Sequence, residues 1–273
     1  EIRLSLVGSE MCIRDRPCAA IGAGAFYKGE AADSIGTSEC ITAVLGEEKL
    51  EPDFIKDTNF PCEPFLVNGM FNTIAFTHTA GRLLKWFTES VMQAGEKESF
   101  HALDLQCKES PSGLLVLPHF SGAGTPTMDH LSVGAVVGLN LHSSAIDIYQ
   151  AIMESVSYEM KTNLDRLSQN GIKLHRIYAV GGGASSDIWL QYKANIYGVP
   201  VRATKCKEAS ALGAAAAAAV GDGCYGSMEE ASKNMVHVKK EYLPDRKLAP
   251  AFSAEYEKYK RLYEQIKGIY REG

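Results

Sequence analysis

No stretch of this chain approaches the ~20 consecutive apolar residues that a bilayer-spanning helix needs. The longest strongly apolar run is the alanine-rich segment near 214–220, so no membrane partner is expected. An excess of positive charge is also missing. Lys and Arg number 28 against 33 Asp and Glu, a formal net charge of −5, and the basic residues are spread along the chain. That argues against nucleic acid and against an anionic membrane surface as partners. There is no CxxC and no HExxH. The seven cysteines (12, 18, 40, 62, 107, 206 and 224) are odd in number and widely spaced, and the seven histidines show no ligand spacing. This usage fits reduced thiols in the cytoplasm and predicts no metal site built by the protein alone. A signal-peptide pattern, an internal repeat and a low-complexity linker are likewise lacking.

What is present suits one α/β domain from Pro17 onward. Residues 1–16 carry no strand or helix period that continues past Arg16, and Ser5 to Arg16 resembles a translated adapter sequence. The segment is therefore set apart from the fold as non-native. Residues 17–25, small and apolar with glycines, predict a helix packed very close to a neighbour. Ala31 to Leu45 predicts two short strands around Gly36-Thr37-Ser38, and 46–63 a surface loop. Further strands are expected at Phe65–Asn68, Leu114–Leu117, Val133–Leu139, Arg176–Val180 and Val199–Arg202. Helices are expected at Thr79–Met92, Phe100–Cys107, Ser185–Tyr197, Glu208–Val220 and Ala251–Tyr270. The longest helix starts at Ser144, with Asp147 completing a capping box, and ends at Asn170-Gly171. Its stripe Tyr149, Ile152, Met153, Val156, Met160, Leu164 and Leu167 is a core face.

Two small-residue turns are the candidate site. Gly181-Gly182-Gly183-Ala184 comes after an apolar strand and precedes a helix, the arrangement that brings bare amides and a helix N-terminus up to a phosphate or nucleotide. An isolated turn of this kind also serves as a plain tight turn. A second one, Gly36-Thr37-Ser38, suggests a nucleotide gripped from two sides. Glu154 and Asp147, seven apart on one helix face, are better explained as a polar helix position and a cap than as an acid pair.

Several ordered motifs carry a family resemblance. They are Gly134-Ala-Val-Val-Gly138-Leu139 with Asp147-Ile148 and Ala151 to Glu154 after it; Thr79-Ala-Gly81 through Trp86; Pro118 to Gly122 with Thr125-Pro126; Trp189; and Ala211-Leu212-Gly213-Ala214-Ala215. With these, the chain resembles the C-terminal half of the FGGY carbohydrate kinases, from about Pro17 to Pro244. The resemblance implies an actin-like ATPase (ribonuclease H-like) fold, of which this chain is the second of two domains. It implies ATP and Mg2+ as cofactors, a sugar as substrate and a missing N-terminal kinase domain as partner, with a homodimer as a further option. Gly36 and Thr37, with Ser38, would lie near the phosphates, and Gly181, Gly182, Gly183 and Ala184 against the adenosine. The family's proton acceptor stands seven residues before a glycine. Asp15 holds that place before Gly22, but without the flanking glycines, in the segment taken as non-native. Relatives that act on xylulose or gluconate carry Gly-Glu-Arg-Thr-Pro where this chain has Gly122-Ala-Gly-Thr-Pro126. A ketose, a pentulose or hexulose, is the implied substrate class.

The alternative is a non-catalytic actin-like nucleotide-binding or regulatory module, which would need the same two turns. A dinucleotide-binding Rossmann unit fits less well, because Gly181 to Ser186 lacks the GxGxxG spacing.

Overall fold

The computed structural model describes residues 15–93 and 99–271. Most of the segment taken as non-native, residues 1–14, lies outside the described residues; Asp15 and Arg16 are helical, and helix α1 is described over 15–23. Strands β1 (Glu30–Ile35) and β2 (Glu39–Gly46) form the expected hairpin, with Ile35 opposite Glu39 and Ala31 opposite Ala43. The region expected to be a surface loop instead holds helix α2 (Pro52–Thr58) and leads into β3 (Cys62–Pro64). Pro52 sits in the first helical turn, where its missing N–H costs nothing, and Phe60 behind it is fully buried.

The strand expected at Phe65–Asn68 is a turn, closed by the Phe65 N–H on the Met70 carbonyl and by Gly69 at φ +80°. The strand is one step later, β4 (Phe71–Thr77). Helix α3 (Gly81–Trp86) passes into a π-helical turn, Phe87–Val91, and α4 (Phe100–Asp104) comes next, shorter than expected. A two-stranded sheet pairs β5 (Leu115–Leu117) with β6 (Ala135–Val137). Helix α5 (Ala145–Gln169) carries the predicted Ser144–Asp147 capping box, and its apolar stripe is buried.

Next come β7 (Arg176–Val180), a 3-10 turn at Gly183–Ser185, α6 (Asp187–Tyr197), β8 (Val201–Thr204) and α7 (Ala209–Gly221). Helix α8 (Met228–Met235) and strand β9 (Val238–Tyr242) were not expected. The tail is two helices, α9 (Ala249–Tyr259) and α10 (Leu262–Arg271), rather than one.

The main sheet runs β3-β4-β2-β1-β7-β8-β9, with only β1, β7 and β8 parallel to one another. Its side-chain alternation sorts two cores. Ala31, Ile35, Ile41, Ala43, Ile177 and Ala179 face α5, α6 and α9, whereas Ala32, Val44, Tyr178 and Val180 face α1, α7 and α8. On that second face α1 and α7 touch backbone to backbone. A Cβ on Gly22 would lie 1.9 Å from the Ala209 carbonyl oxygen, and one on Gly213 would lie 1.9 Å from that of Cys18. Both the close packing expected of residues 17–25 and the glycine inside α7 are thereby accounted for. Among the described residues no helix is long and apolar enough to cross a membrane.

Candidate functional site

Parallel strands β1 and β7 end side by side, and each ends in one of the two small-residue turns. The crevice outside the carboxyl ends of parallel strands is where open α/β sheets take ligands. Here it holds two cavities that share Gly36 and Thr37. The larger, ≈ 830 Å³, extends over Gly182, Gly183 and Trp189 towards α3 and α4. The smaller, ≈ 300 Å³, extends past Ser38 and Gly181 to Asp15, Lys207 and Ser210. Thus the fold brings together seven of the eight residues singled out from the sequence. Ala184 lines neither cavity and packs against the core.

The glycines divide the work. Gly181 has φ +87°, and a Cβ there would lie 2.7 Å from the Ile35 carbonyl oxygen; a Cβ on Gly183 would lie 2.2 Å from Ile35 Cγ2. Both let the turn close down on β1. Gly182 has an ordinary right-handed helical conformation, and a Cβ there would meet nothing within 4 Å. It is the glycine whose bareness serves the cavity. Across from it, the first turn of α3 clamps the hairpin. The Gly81 N–H donates to the Gly36 carbonyl at 2.9 Å, and the Ala80 and Arg82 N–H groups donate to that of Thr37. The Thr37 side chain is exposed. Its hydroxyl makes no hydrogen bond among the described residues, so it is not a turn hydroxyl spent on its own backbone.

Sequence reasoning did not single out the walls of the larger cavity as ligand contacts. Trp189, at the first turn of α6, is fully buried; its indole N–H donates to Ser157 Oγ at 3.2 Å, and its backbone N–H is capped by Ser186 Oγ. Trp86 and Phe100 stand exposed beside the cavity at 43% and 48%. Asp104 accepts a hydrogen bond from the Tyr149 hydroxyl at 2.8 Å. Burial pushes its carboxyl above the usual range, against the pull of hydrogen bonds from Ser186 and Tyr149. Trp86 belongs to one of the family-like motifs, but Asp104 and Ser186 had no local signal. In the smaller cavity Ser210 Oγ donates to the Asp15 carbonyl at 3.1 Å, tying the start of α7 to the start of α1.

Comparison with known proteins places this geometry. Residues 31–221 match the FGGY family of carbohydrate kinases, C-terminal domain. The chain belongs to that family. It is 30% identical over 258 residues to the xylulose kinase of Bacillus subtilis, covering 93% of this chain and 50% of the relative. Ligand-bound xylulose kinase from Lactobacillus acidophilus superimposes with a TM-score of 0.83 at 22% identity, over 94% of this chain and 51% of that one. Plasmodium falciparum glycerol kinase with ADP gives 0.78 at 20% identity, over 91% and 50%. These likenesses show the fold, the actin-like, ribonuclease H-like ATPase architecture of the family. The chain spans about half the length of the curated relatives it matches. The relationship supports a kinase-like function and use of a nucleotide cofactor.

Within this FGGY domain the two acids of α5 have structural partners. Asp147 caps its own helix and pairs with Lys108 at 2.7 Å, which with Ser144 holds its carboxyl down at about 2. Glu154 accepts from the Ser112 N–H at 2.9 Å and from Ser112 Oγ at 2.8 Å. Between them, Gln150 accepts from the Lys108 N–H and donates to the Ser110 carbonyl. The polar face of α5 thus zips segment 108–112 along the helix.

Directly beneath the hairpin lies a buried ion cluster. Lys193, on α6 one turn past Trp189, is 0% exposed. Its Nζ lies 2.5 Å from Glu39 Oε1, 3.1 Å from Asp33 Oδ2 and 2.9 Å from the Tyr197 hydroxyl. The Asp33 contact is an ion pair without hydrogen-bond alignment, and both Asp33 oxygens lack a hydrogen bond. Two carboxylates share one ammonium, and burial, then Asp33's charge, push Glu39 up to about 8.

Proposed function

We propose that this FGGY domain is the ATP-binding half of a carbohydrate kinase that phosphorylates a hydroxyl of a ketose, a pentulose or hexulose. One observation supports the reading most: a large, mostly apolar cavity and a smaller, more polar one meet at Gly36-Thr37. A nucleoside fits the first and its phosphates the second. Gly182 lets the nucleoside lie on bare backbone, and Thr37 offers its unused hydroxyl at the junction. That a similarly folded glycerol kinase is described with ADP supports a nucleotide as the ligand.

Phosphoryl transfer asks a protein for positioning, charge stabilisation and a proton acceptor. As the sugar oxygen bonds to the γ-phosphorus and the bond to the ADP oxygen breaks, the hydroxyl proton passes to the acceptor. Asp15, beside the smaller cavity, is the acid placed for that role, and the cationic Lys207 lines the same wall. Mg2+ would supply charge neutralisation across the phosphate oxygens. No group of three or more His, Cys, Asp or Glu among the described residues could hold a metal ion. Glu208 and the Ser34 hydroxyl line the smaller cavity and would face a cation carried in on the nucleotide. Sugar contacts and the second phosphate turn fall to a segment outside these 273 residues.

Two outcomes are expected. The 273-residue chain alone binds ATP weakly and shows no useful sugar-dependent ADP release in a coupled turnover assay; brisk turnover would overturn the half-site reading. Gly182→Ala, whose added Cβ would meet no other residue within 4 Å, weakens ATP binding about tenfold in calorimetry. The unfolding midpoint should stay unchanged, and an unaltered affinity would remove the nucleoside from this cavity.

A further inference from the structure

We infer that Asp104 selects the base of the nucleotide, accepting a hydrogen bond from the exocyclic amino group of adenine. The inference rests on the proposed placement of a nucleoside in the larger cavity and adds which purine it takes. Phe100, His101 and Asp104 of α4 line the larger cavity and not the smaller one, so α4 marks the end away from the phosphates. With phosphates at Gly36-Thr37, the base is the part of the ligand that reaches α4. The surroundings suit a flat heterocycle: Trp86 and Phe100 present exposed rings there, and Trp189 and Tyr149 form the floor.

Asp104 lines this wall beside His101 of the same helix, and it is held in place. The Tyr149 hydroxyl donates to Oδ1 at 2.8 Å. Ser186 Oγ accepts from the Trp189 N–H, which leaves the hydroxyl proton of Ser186 for Asp104. Among the described residues no lysine or arginine pairs with Asp104, so its two side-chain partners are neutral hydroxyls. An ionised carboxylate has about four acceptor sites and no donor. Two hydroxyls leave acceptor capacity on a half-buried carboxylate, and burial raises its pKa against the pull of these hydroxyls and of the neighbouring His101. A ligand N–H is the group that would relieve it. Adenine offers its amino group at that edge. Hypoxanthine and guanine put a carbonyl oxygen in the same place, and two acceptors would then face each other.

The experiment compares ATP, ITP and GTP binding to the whole chain by calorimetry, with Asp104→Ala and Asp104→Asn beside the unmodified protein. The unmodified chain should bind ATP about tenfold or more tightly than ITP or GTP, the size of one hydrogen bond to a charged group. Asp104→Ala should bring ATP down to the level of ITP while ITP itself scarcely changes. Asp104→Asn, which keeps an acceptor oxygen and a partner for Tyr149, should retain part of the preference. Equal binding of ATP and ITP by the unmodified chain, tighter binding of GTP, or a preference that survives Asp104→Ala would overturn the inference and leave the nucleotide site standing. Failure to bind any of the three would overturn the site and the inference together. The comparison on unmodified protein needs no variant to fold.

Discussion

Gly213→Ala is expected to cost at least about 3 kcal/mol of unfolding free energy, the upper end of overpacking penalties, because the obstacle is backbone. Alanine is the better helix former by up to ~1 kcal/mol, so propensity alone predicts the opposite sign. The contact decides. The new Cβ would sit 1.9 Å from the Cys18 carbonyl oxygen, and no rotamer change relieves a clash with main chain. Helices α1 and α7 would have to part, opening the small core of Ala20, Ile21, Ala209 and Ala216. Asp15 and Ser210 lie on these two helices and both line the smaller cavity, so that cavity would shift with them. Gly268→Ala is the matched control. It lies within α10, and its added Cβ meets nothing within 4 Å, so it should be neutral or stabilising. Urea unfolding of the two variants beside the parent checks this; equal midpoints for both would refute the crossing.

Sequence reasoning succeeded where local chemistry dictates the backbone. The β1–β2 hairpin, the glycine turn after β7 and the 25-residue α5 each carry a period or a glycine that no alternative explains as well. It failed where burial runs against residue type. Strand β4 hides because Asn72, Thr73 and Thr77 are buried polar groups whose side-chain atoms lack hydrogen-bond partners, and they mask its alternation. Strand β9, Val-Lys-Lys-Glu-Tyr, is at the sheet edge, where charge is tolerated and only Tyr242 is buried. Pro52 suggested a loop although proline suits a first helical turn.

The site divides in the same way. Both turns were legible as small-residue breaks directly after apolar strands, although a Cβ on Gly36 would meet only the Ser38 carbonyl oxygen, at 3.7 Å. That Gly181 and Gly183 serve packing on Ile35 while Gly182 serves the cavity depends on neighbours 146 to 148 residues away in the chain. Asp104, Tyr149 and Ser186 meet from α4, α5 and the cap of α6, and no spacing within one element announces them.

Lys193→Met should be the more damaging change, costing about 3–5 kcal/mol, the range for removing one partner of a buried ion pair. It leaves Asp33 and Glu39 facing each other, both fully buried, with the Tyr197 hydroxyl as the remaining donor. Their protonation sets the pH dependence. Burial raises both carboxyls, and for Glu39 the charge of Asp33 adds to it, taking Glu39 from its ordinary 4.5 to about 8 against the attraction of Lys193. A carboxyl that holds its proton more tightly when folded stabilises the fold fully below its unfolded pKa and loses that contribution as pH rises. The parent should therefore lose stability between about pH 4.5 and 8, with a slope of up to about 1.4 kcal/mol per pH unit for each proton involved. Glu154, raised to about 7 by burial, adds to the same window. Glu39→Gln should flatten the curve and leave the Asp33 and Glu154 shares. The loss on Lys193→Met should be larger at pH 8 than at pH 5, where the abandoned carboxyls can take up protons. Asp33→Asn and Glu39→Gln added to Lys193→Met should recover most of it. Urea unfolding at pH 5, 6.5 and 8 measures each case, and a pH-independent loss would refute the shared-proton account. Glu39 stands directly after Ser38, and Lys193 lies one helical turn past Trp189. The cluster that sets this pH response therefore also ties the β1–β2 hairpin to α6, the two elements of the proposed nucleotide site, so ATP affinity should fall along the same curve.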